Sequence, residues 1–471
     1  MKKTIFNILY LITLVLLFLP AFAFQLGSRT YRIFFIALLT FFGLYLIASN
    51  VKFLNVIKLL LKQPQCKYLA YFIIYLFVST LIIYTYNPNF GIASLKYISQ
   101  FALLYIIPCY LLSAYFTPKF LTFDKFMKFY LSALFLIFVF GLIEYFGGRV
   151  MGISFINNLQ QFLANERLIM KDVILYYQRL TSVFAEPSWL GNFIFLNFPI
   201  IYKCCGSKFR IFDNPLINIV IKRTLMPLAW LNIIFTKSPI WLLFCIIQAI
   251  IIFRKEILKI NAKKIIIVTI ISVLFCIITL YYIDTLMHLP QIERLTKVIN
   301  NFSKFEDLLE VEVSLGTRIV SFYTQLLVFI EHPILGIGLN NIADVAGDFI
   351  TKYSIPMTTE NYKNYLIYLQ TGKMHLNVST FYTLIAQTGV IGTLIYYAFI
   401  AKSTKVVKST IKNLGNSLAK DFSSGLYTSL CFYIVMTLYE TVLAMPFNWF
   451  FFGLATAVTL YFNKHKEKQL Y

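Results

Sequence analysis

Charge is what this chain has least of. Asp, Glu, Lys and Arg together supply 13% of its 471 residues, hydrophobic types supply 59%, and the mean hydropathy is +0.74. Soluble domains carry about 25% charged residues, so a water-facing shell around one compact core is excluded. Cysteine is scarce where a secreted module would need it. All seven cysteines (Cys66, Cys109, Cys204, Cys205, Cys245, Cys276 and Cys431) fall in apolar runs or in segments assigned to the cytoplasm, and the long outer loops have none. A disulfide framework and a zinc-type cysteine spacing are therefore excluded there. A continuous basic face is also missing. The net charge of +22 is scattered over short loops, which speaks against a nucleic-acid partner.

What the chain does have is apolar runs of about 15 to 22 residues, the length that crosses a hydrocarbon core of about 30 Å as a helix. Helices are the expected spanning element because each closes its own backbone hydrogen bonds within lipid. The expected fold is all-α and polytopic, with about twelve transmembrane helices. The runs lie near 5–24, 31–50, 68–86, 97–116, 129–147, 189–202, 217–235, 239–253, 265–283, 379–401, 425–441 and 448–462. The first run follows Lys2 and Lys3 and ends in small residues, as a signal peptide does. Its length and the span that follows at once favour a retained helix. Around Thr236–Pro239 both arms are short, and a reading with ten spans stays open.

Orientation follows from the positive-inside rule. With both termini in the cytoplasm, 27 of the 42 lysines and arginines fall on cytoplasmic segments. Thirteen of the twenty acidic residues fall in two long outer loops, at 148–188 and 284–378. The chain thus divides into N-terminal spans (1–147), a first outer loop (148–188), central spans (189–283), a large outer loop (284–378) and C-terminal spans with a tail (379–471). Function is expected in the two long loops, because the other connections are short.

The first loop ends in "YQRLTSVFAEPSWLGNFIF", which sets Arg179 and Glu186 at the lip of a span. In the second, "SLGTRIVSFYTQLLVFIEHPILGIGLNN" reads as a helix of about fifteen residues, capped by Ser314 or Thr317 and ended by Pro333 and the glycines after it. It lies on the membrane surface or packs on the spans. Arg318 falls in its first turn, where the helix dipole disfavours a cation unless an anion is present. A phosphate would meet that condition, and so would Glu310 or Glu312. "GIGLNN" lacks the third glycine and the strand–helix setting of a nucleotide loop, so Gly336 and Gly338 read as turn residues. His375 lies about one helical turn before the tenth span; it suits proton transfer near neutral pH, and taken alone an ordinary solvated loop histidine is the plainer reading. Gly389 and Gly392 read as close-packing positions between spans.

Taken in order, Arg179 to Ser188 as R-x4-F-x-E-P-S, Ser314 to Arg318 as S-x3-R, His332 to Gly338 as H-P-x2-G-x-G, and His375 followed by "QTGVIG" resemble the O-antigen ligase and polymerase superfamily. The likeness covers mainly residues 177 to 400. It implies a bacterial inner-membrane protein of GT-C-like architecture with a large periplasmic loop. The implied activity is metal-independent glycosyl transfer, with no cofactor, from glycans carried on undecaprenyl pyrophosphate. By the same resemblance Arg179 and Arg318 correspond to the arginines that hold the pyrophosphate, and His375 to the loop histidine proposed as base. "FTKSP" at 235–239 matches the family's serine-arginine-glycine turn only in part, with Lys237 in place of the arginine. Gly191 falls close to, but off, the arginine-x10-glycine spacing of some polymerases.

Arginines at the outer ends of spans would grip a pyrophosphate at headgroup depth while the isoprenoid stays in lipid. Glu186 and His375 are the two candidate bases, and Glu186 paired with Arg179 is the plain structural alternative. No DxD-like pair in the outer loops argues for a metal. The implied partners are the lipid-linked oligosaccharide, the bilayer, and a chain-length regulator and flippase of the same pathway. The "EPS" that follows Phe184 and Ala185 favours a polymerase of repeat units over a ligase, by resemblance. A flippase would need several ionisable residues in mid-span, and the two nearest cases, Glu144 and Glu440, fall near span ends.

Overall fold

The computed structural model describes residues 2–19, 23–26, 29–49, 53–164, 179–184, 186–257, 313–374, 376, 379–440 and 445–469. These are helical apart from a short antiparallel hairpin, Ala23–Leu26 paired with Arg29–Arg32. Six helices are long and apolar enough to cross a membrane: α4 (Pro64–Tyr86), α5 (Pro88–Phe120), α6 (Phe123–Val150), α9 (Pro215–Phe235), α14 (Thr380–Asn413) and α15 (Leu418–Tyr439). Before them come α1 (Lys2–Leu17), α2 (Ile33–Ser49) and α3 (Phe53–Leu61), and α7 (Ser154–Ala164) follows α6.

The sequence suggests twelve spans, and among the described residues six meet that standard. Shorter apolar stretches lie at Ile5–Leu17, Ile36–Tyr45 and Ile240–Arg254, and the expected span at 265–283 is outside the described residues. The shortfall has a physical cause at α8 (Pro187–Cys205). Every residue from Leu190 to Ile201 is buried, so this helix is shielded by its neighbours and carries Asn192 and Asn197 without facing lipid. The arms flanking Thr236–Pro239 form two separate helices, α9 and α10 (Pro239–Ile257).

Local chemistry sets the helix starts. Asn87, Thr122, Asn214, Ser379 and Ser417 each stand at an N-cap and accept from a backbone amide two or three residues on. Proline opens α4, α5, α8 and α9, where its missing amide costs no hydrogen bond. The end of α6 widens into a π-helix over Glu144–Val150, in which residues five apart come together.

The described part of the 284–378 segment folds on the bundle. Its α11 (Val313–Glu331), α12 (Ile342–Lys352) and α13 (Thr359–Thr371) share a small core of Val320, Ala346, Ile350, Ile355 and Met374. The turn after α11 docks into a kink in α14. Gly389 takes φ +63°, and a Cβ there would stand 2.1 Å from the Ile334 carbonyl oxygen. Gly336 and Gly338, also at positive φ, are turn residues as the sequence indicates. The Gly338 amide donates to the Gln387 carbonyl at 2.9 Å, and the Val390 amide to the Pro333 carbonyl at 2.9 Å. Gly392 lies against the Tyr75 ring, a close-packing position as expected. The last helix is α16 (Pro446–Gln469).

Candidate functional site

Contacts between helix ends bring the sequence-derived candidates to one end of the bundle. That end holds the C-termini of α9 and α15 and the N-termini of α8, α10 and α14. It also receives the segment 179–184, which is tied down on several sides. Leu180 donates its amide to the Phe235 carbonyl at 3.0 Å, and Arg179 Nε donates to the Thr236 carbonyl at 3.1 Å. Ser182, at φ 53°, donates its amide to Glu144 Oε2 at 2.6 Å, and Thr181 Oγ1 donates to Glu144 Oε1 at 3.2 Å.

Glu144 is itself held by Arg149, whose Nη2 and Nε donate at 2.9 and 3.2 Å. Both side chains are almost fully buried, at 0% and 2% exposure. The π turn explains this pair, since it brings residues five apart onto one face. An ion pair at this depth stands only because the remaining lone pairs are satisfied, here by the 181–182 segment. Glu144 and Arg149 thus form the footing of Arg179.

Arg179 and Lys237 come together. Lys237 follows Thr236 in the α9–α10 turn, at φ 49°. Its amine is pushed below the usual lysine range, first by burial and second by the charge of Arg179. Two cations brought together in a partly buried turn form a candidate contact for an anionic group. Glu186 lies at the N-cap of α8 and accepts from Ser188 Oγ at 3.3 Å. The expected structural pairing of Glu186 with Arg179 is not formed.

Arg318 sits differently from the sequence expectation. α11 already includes Val313, so Arg318 is past its first turn and does not share the free amides of the helix start. Its guanidinium instead meets the C-terminus of α15. Nη1 donates to the Tyr439 carbonyl at 2.7 Å, the group lies over the Tyr439 ring at 4.1 Å, and Nη2 is 3.7 Å from Glu440 Oε2. The negative end of a helix, an aromatic face and a carboxylate all favour a cation. Glu310 and Glu312, the partners suggested by sequence, lie outside the described residues. Tyr439 links this group to the first one: its ring is 6.0 Å from that of Trp241, in the first turn of α10 after Lys237. Trp241 in turn covers Gly191 of α8, where a Cβ would stand 2.6 Å from the indole.

No family model matches the chain, and no characterised protein matches it. Chemical capacity is therefore judged from the residues. The end of the bundle gathers Arg179, Lys237, Arg318, Glu186 and Glu440, a set suited to hold an anionic group and to accept a proton. His375 lies outside the described residues, although its neighbour Met374 is buried and bonded through its amide to Ala343. Among the described residues no group of three or more His, Cys, Asp or Glu stands close enough to hold a metal ion. Sequence reasoning missed Tyr439, Glu440 and the Glu144–Arg149 footing as parts of the site. The available signal was an acidic residue at the end of an otherwise uncharged apolar run, which both glutamates are.

Proposed function

We propose that this protein is a polysaccharide repeat-unit polymerase of the bacterial inner membrane. It would join oligosaccharides carried on undecaprenyl pyrophosphate on the outer face of the membrane, using the twelve-span GT-C-like arrangement suggested by sequence. The observation that carries this reading is the convergence of Arg179 and Lys237 in one partly buried turn, with Arg318 on the neighbouring helix end.

In this reaction a sugar hydroxyl attacks the anomeric carbon of the donor and the lipid pyrophosphate leaves. Arg179 and Lys237 meet the charge that develops on the leaving group, in a partly buried turn where such contacts are stronger than in open water. Arg318 adds a third cation, and its planar fork suits phosphate oxygens. Glu186 and His375 are the sequence-derived candidates for the base that activates the hydroxyl. The bundle keeps the isoprenoid in lipid while the pyrophosphate reaches the helix ends at headgroup depth.

The test is the glycan profile of cells lacking the protein. The proposal expects surface glycan reduced to a single repeat unit. Long glycan stranded on the lipid carrier would identify a ligase, which uses the same donor chemistry. Single lipid-linked units retained on the cytoplasmic face would identify a flippase. Either of these outcomes overturns the polymerase reading.

A further inference from the structure

α8 and α15 pack side by side in opposite directions, in a register fixed by two contacts. Ser429 Oγ donates to the Leu196 carbonyl at 2.6 Å, and Gly425 lies so close to Ile200 that a Cβ would stand 2.5 Å from its Cα. Continued along both helices, that register sets the end of α8 at Cys205 against the start of α15 at Leu418. A cavity of about 480 Å³ opens beside these two ends, at the end of the bundle opposite Arg179 and Lys237. Its walls come from Tyr202–Phe209 and Asn416–Asp421, two segments far apart in the sequence.

Lys203 and Lys208 from the first segment and Lys420 from the second line this cavity, against one carboxylate, Asp421. Asp421 is in the first turn of α15, where the helix dipole favours it without a cation. Among the described residues none of the three lysines forms an ion pair. Lys203 Nζ lies 5.1 Å from the centre of the Tyr202 ring, Lys420 Nζ donates to Asn416 Oδ1 at 3.4 Å, and Lys208 is exposed. A fourth lysine, Lys222 of α9, shapes the wall: its amine donates to the Ser207 carbonyl and, at 2.8 Å, to that of Phe209.

We propose that this cavity binds the phosphate of an anionic lipid headgroup. Retention of basic loops on one side of a membrane explains lysines at this end of the bundle, but not their meeting around one cavity. The volume falls within the about 300 to 1,000 Å³ of small-molecule sites, which is room for a whole headgroup. Its depth suits a lipid. α15 and the span α9 both start beside it, Leu216 and Ile217 at the start of α9 are exposed apolar residues, and Phe209 on the cavity wall is 40% exposed. Basic pockets at the ends of spans take anionic headgroups in this way. Asp421 limits the charge the cavity accepts, so the single charge of a phosphodiester fits better than the about −1.5 to −2 of a phosphate monoester. A headgroup held by Lys203, Lys208 and Lys420 ties α8 to α15, the helices that carry Glu186 and Tyr439 at their other ends. The site is independent of the polymerase reading.

The experiment titrates phosphatidylglycerol into the purified full-length protein, stripped of lipid in neutral detergent, and reads the bound fraction by native mass spectrometry. Phosphatidylglycerol should bind about tenfold or more tightly than zwitterionic phosphatidylcholine, and joint replacement of Lys203, Lys208 and Lys420 by glutamine should weaken it by about tenfold or more. Lys405, Lys408 and Lys412 are exposed on α14 and do not line the cavity. Their joint replacement by glutamine removes the same charge and should leave the affinity within about threefold of wild type. Equal weakening by both sets would overturn the proposal and leave only attraction to surface charge. So would glycerol 3-phosphate binding as tightly as the lipid and with the same dependence on the three lysines, which would make a soluble phosphate the ligand. Should the first variant fail to fold, Lys208→Glu decides alone, because that exposed side chain has no hydrogen bond or ion pair among the described residues. Binding weakened by about tenfold is expected, and unchanged affinity would overturn the proposal. Polymer formation is not read, so failure of the polymerase reading leaves this result standing.

Discussion

Arg179 donates from Nε to the carbonyl of Thr236 at 3.1 Å, which stands its guanidinium beside the next residue, Lys237. The contact joins the end of the 148–188 segment to the turn between α9 and α10, two places that the sequence separates by a whole helical hairpin. Like charges are not brought together in a partly buried turn by their own attraction. They are held there by the hydrogen bonds of residues 180–182, including those to the buried Glu144 carboxylate.

A pH dependence follows from Lys237. Burial, and then Arg179, depress its pKa, so the folded value lies below the unfolded one. The neutral amine is the form the fold favours. Without ligand, stability is reduced while Lys237 is charged, and it rises as pH climbs from the depressed value towards the ordinary one. Anion binding requires the cation and has the opposite sign, so donor KM should increase as pH rises through the depressed pKa. Lys237→Arg, which stays charged, should remove that slope. Donor KM measured from neutral pH to about pH 10, the ordinary lysine range, checks this.

The footing of Arg179 predicts a stability effect. Arg149→Met leaves the Glu144 carboxylate buried without its cation, which costs about 3 to 5 kcal/mol in comparable buried pairs. The thermal midpoint of the detergent-solubilised protein should fall clearly. Donor KM should rise as well, because Thr181 and Ser182 hang from the same carboxylate. Adding Glu144→Gln to Arg149→Met should recover part of the stability by removing the stranded charge. No recovery in the double variant would mean that the pair is not the element holding the segment.

The topology can be read by thiol labelling. Ser354 follows α12 at the end of the bundle that carries the candidate site, and Asn416 lies in the α14–α15 turn at the opposite end. In intact spheroplasts a cysteine at Ser354 should react with a membrane-impermeant reagent, and a cysteine at Asn416 should react only after permeabilisation. The reverse pattern would put the site on the cytoplasmic face and remove the basis for a lipid-linked donor supplied from outside.

Much of this was legible in the sequence where a local rule suffices. The presence of α11 and its end before Pro333, the Gly336 and Gly338 turn and the separate helices flanking Thr236–Pro239 follow from proline and glycine chemistry within a few residues, whereas Ser314 and Thr317, expected as caps, lie inside α11. The surroundings of Arg318 were not legible, because its carbonyl partner on Tyr439 is 121 residues away and no periodicity encodes that meeting. Arg149 was assigned to the outer loop, since a helix of ordinary pitch gives no reason to extend past Gly147 and Gly148. The π turn carries it on and converts a loop arginine into the buried partner of Glu144. α8 shows the converse: its asparagines dilute the apolar run, and only its burial by other helices explains why that is tolerated.

The central claim is that Arg179 and Arg318 hold the pyrophosphate, and polymer formation by the purified variants tests it most directly. Replacing either residue with alanine should reduce the rate of polymer formation from lipid-linked repeat units by about 100- to 1000-fold, or about 3 to 4 kcal/mol, as for a lost charge-assisted contact to a developing anion. Lysine should retain part of that rate, since it keeps the charge and loses the planar fork. Arg294, outside the motifs, should tolerate alanine. Near-normal polymer from well-expressed Arg179→Ala and Arg318→Ala proteins would contradict the account and leave both arginines as structural contacts to the Thr236 and Tyr439 carbonyls.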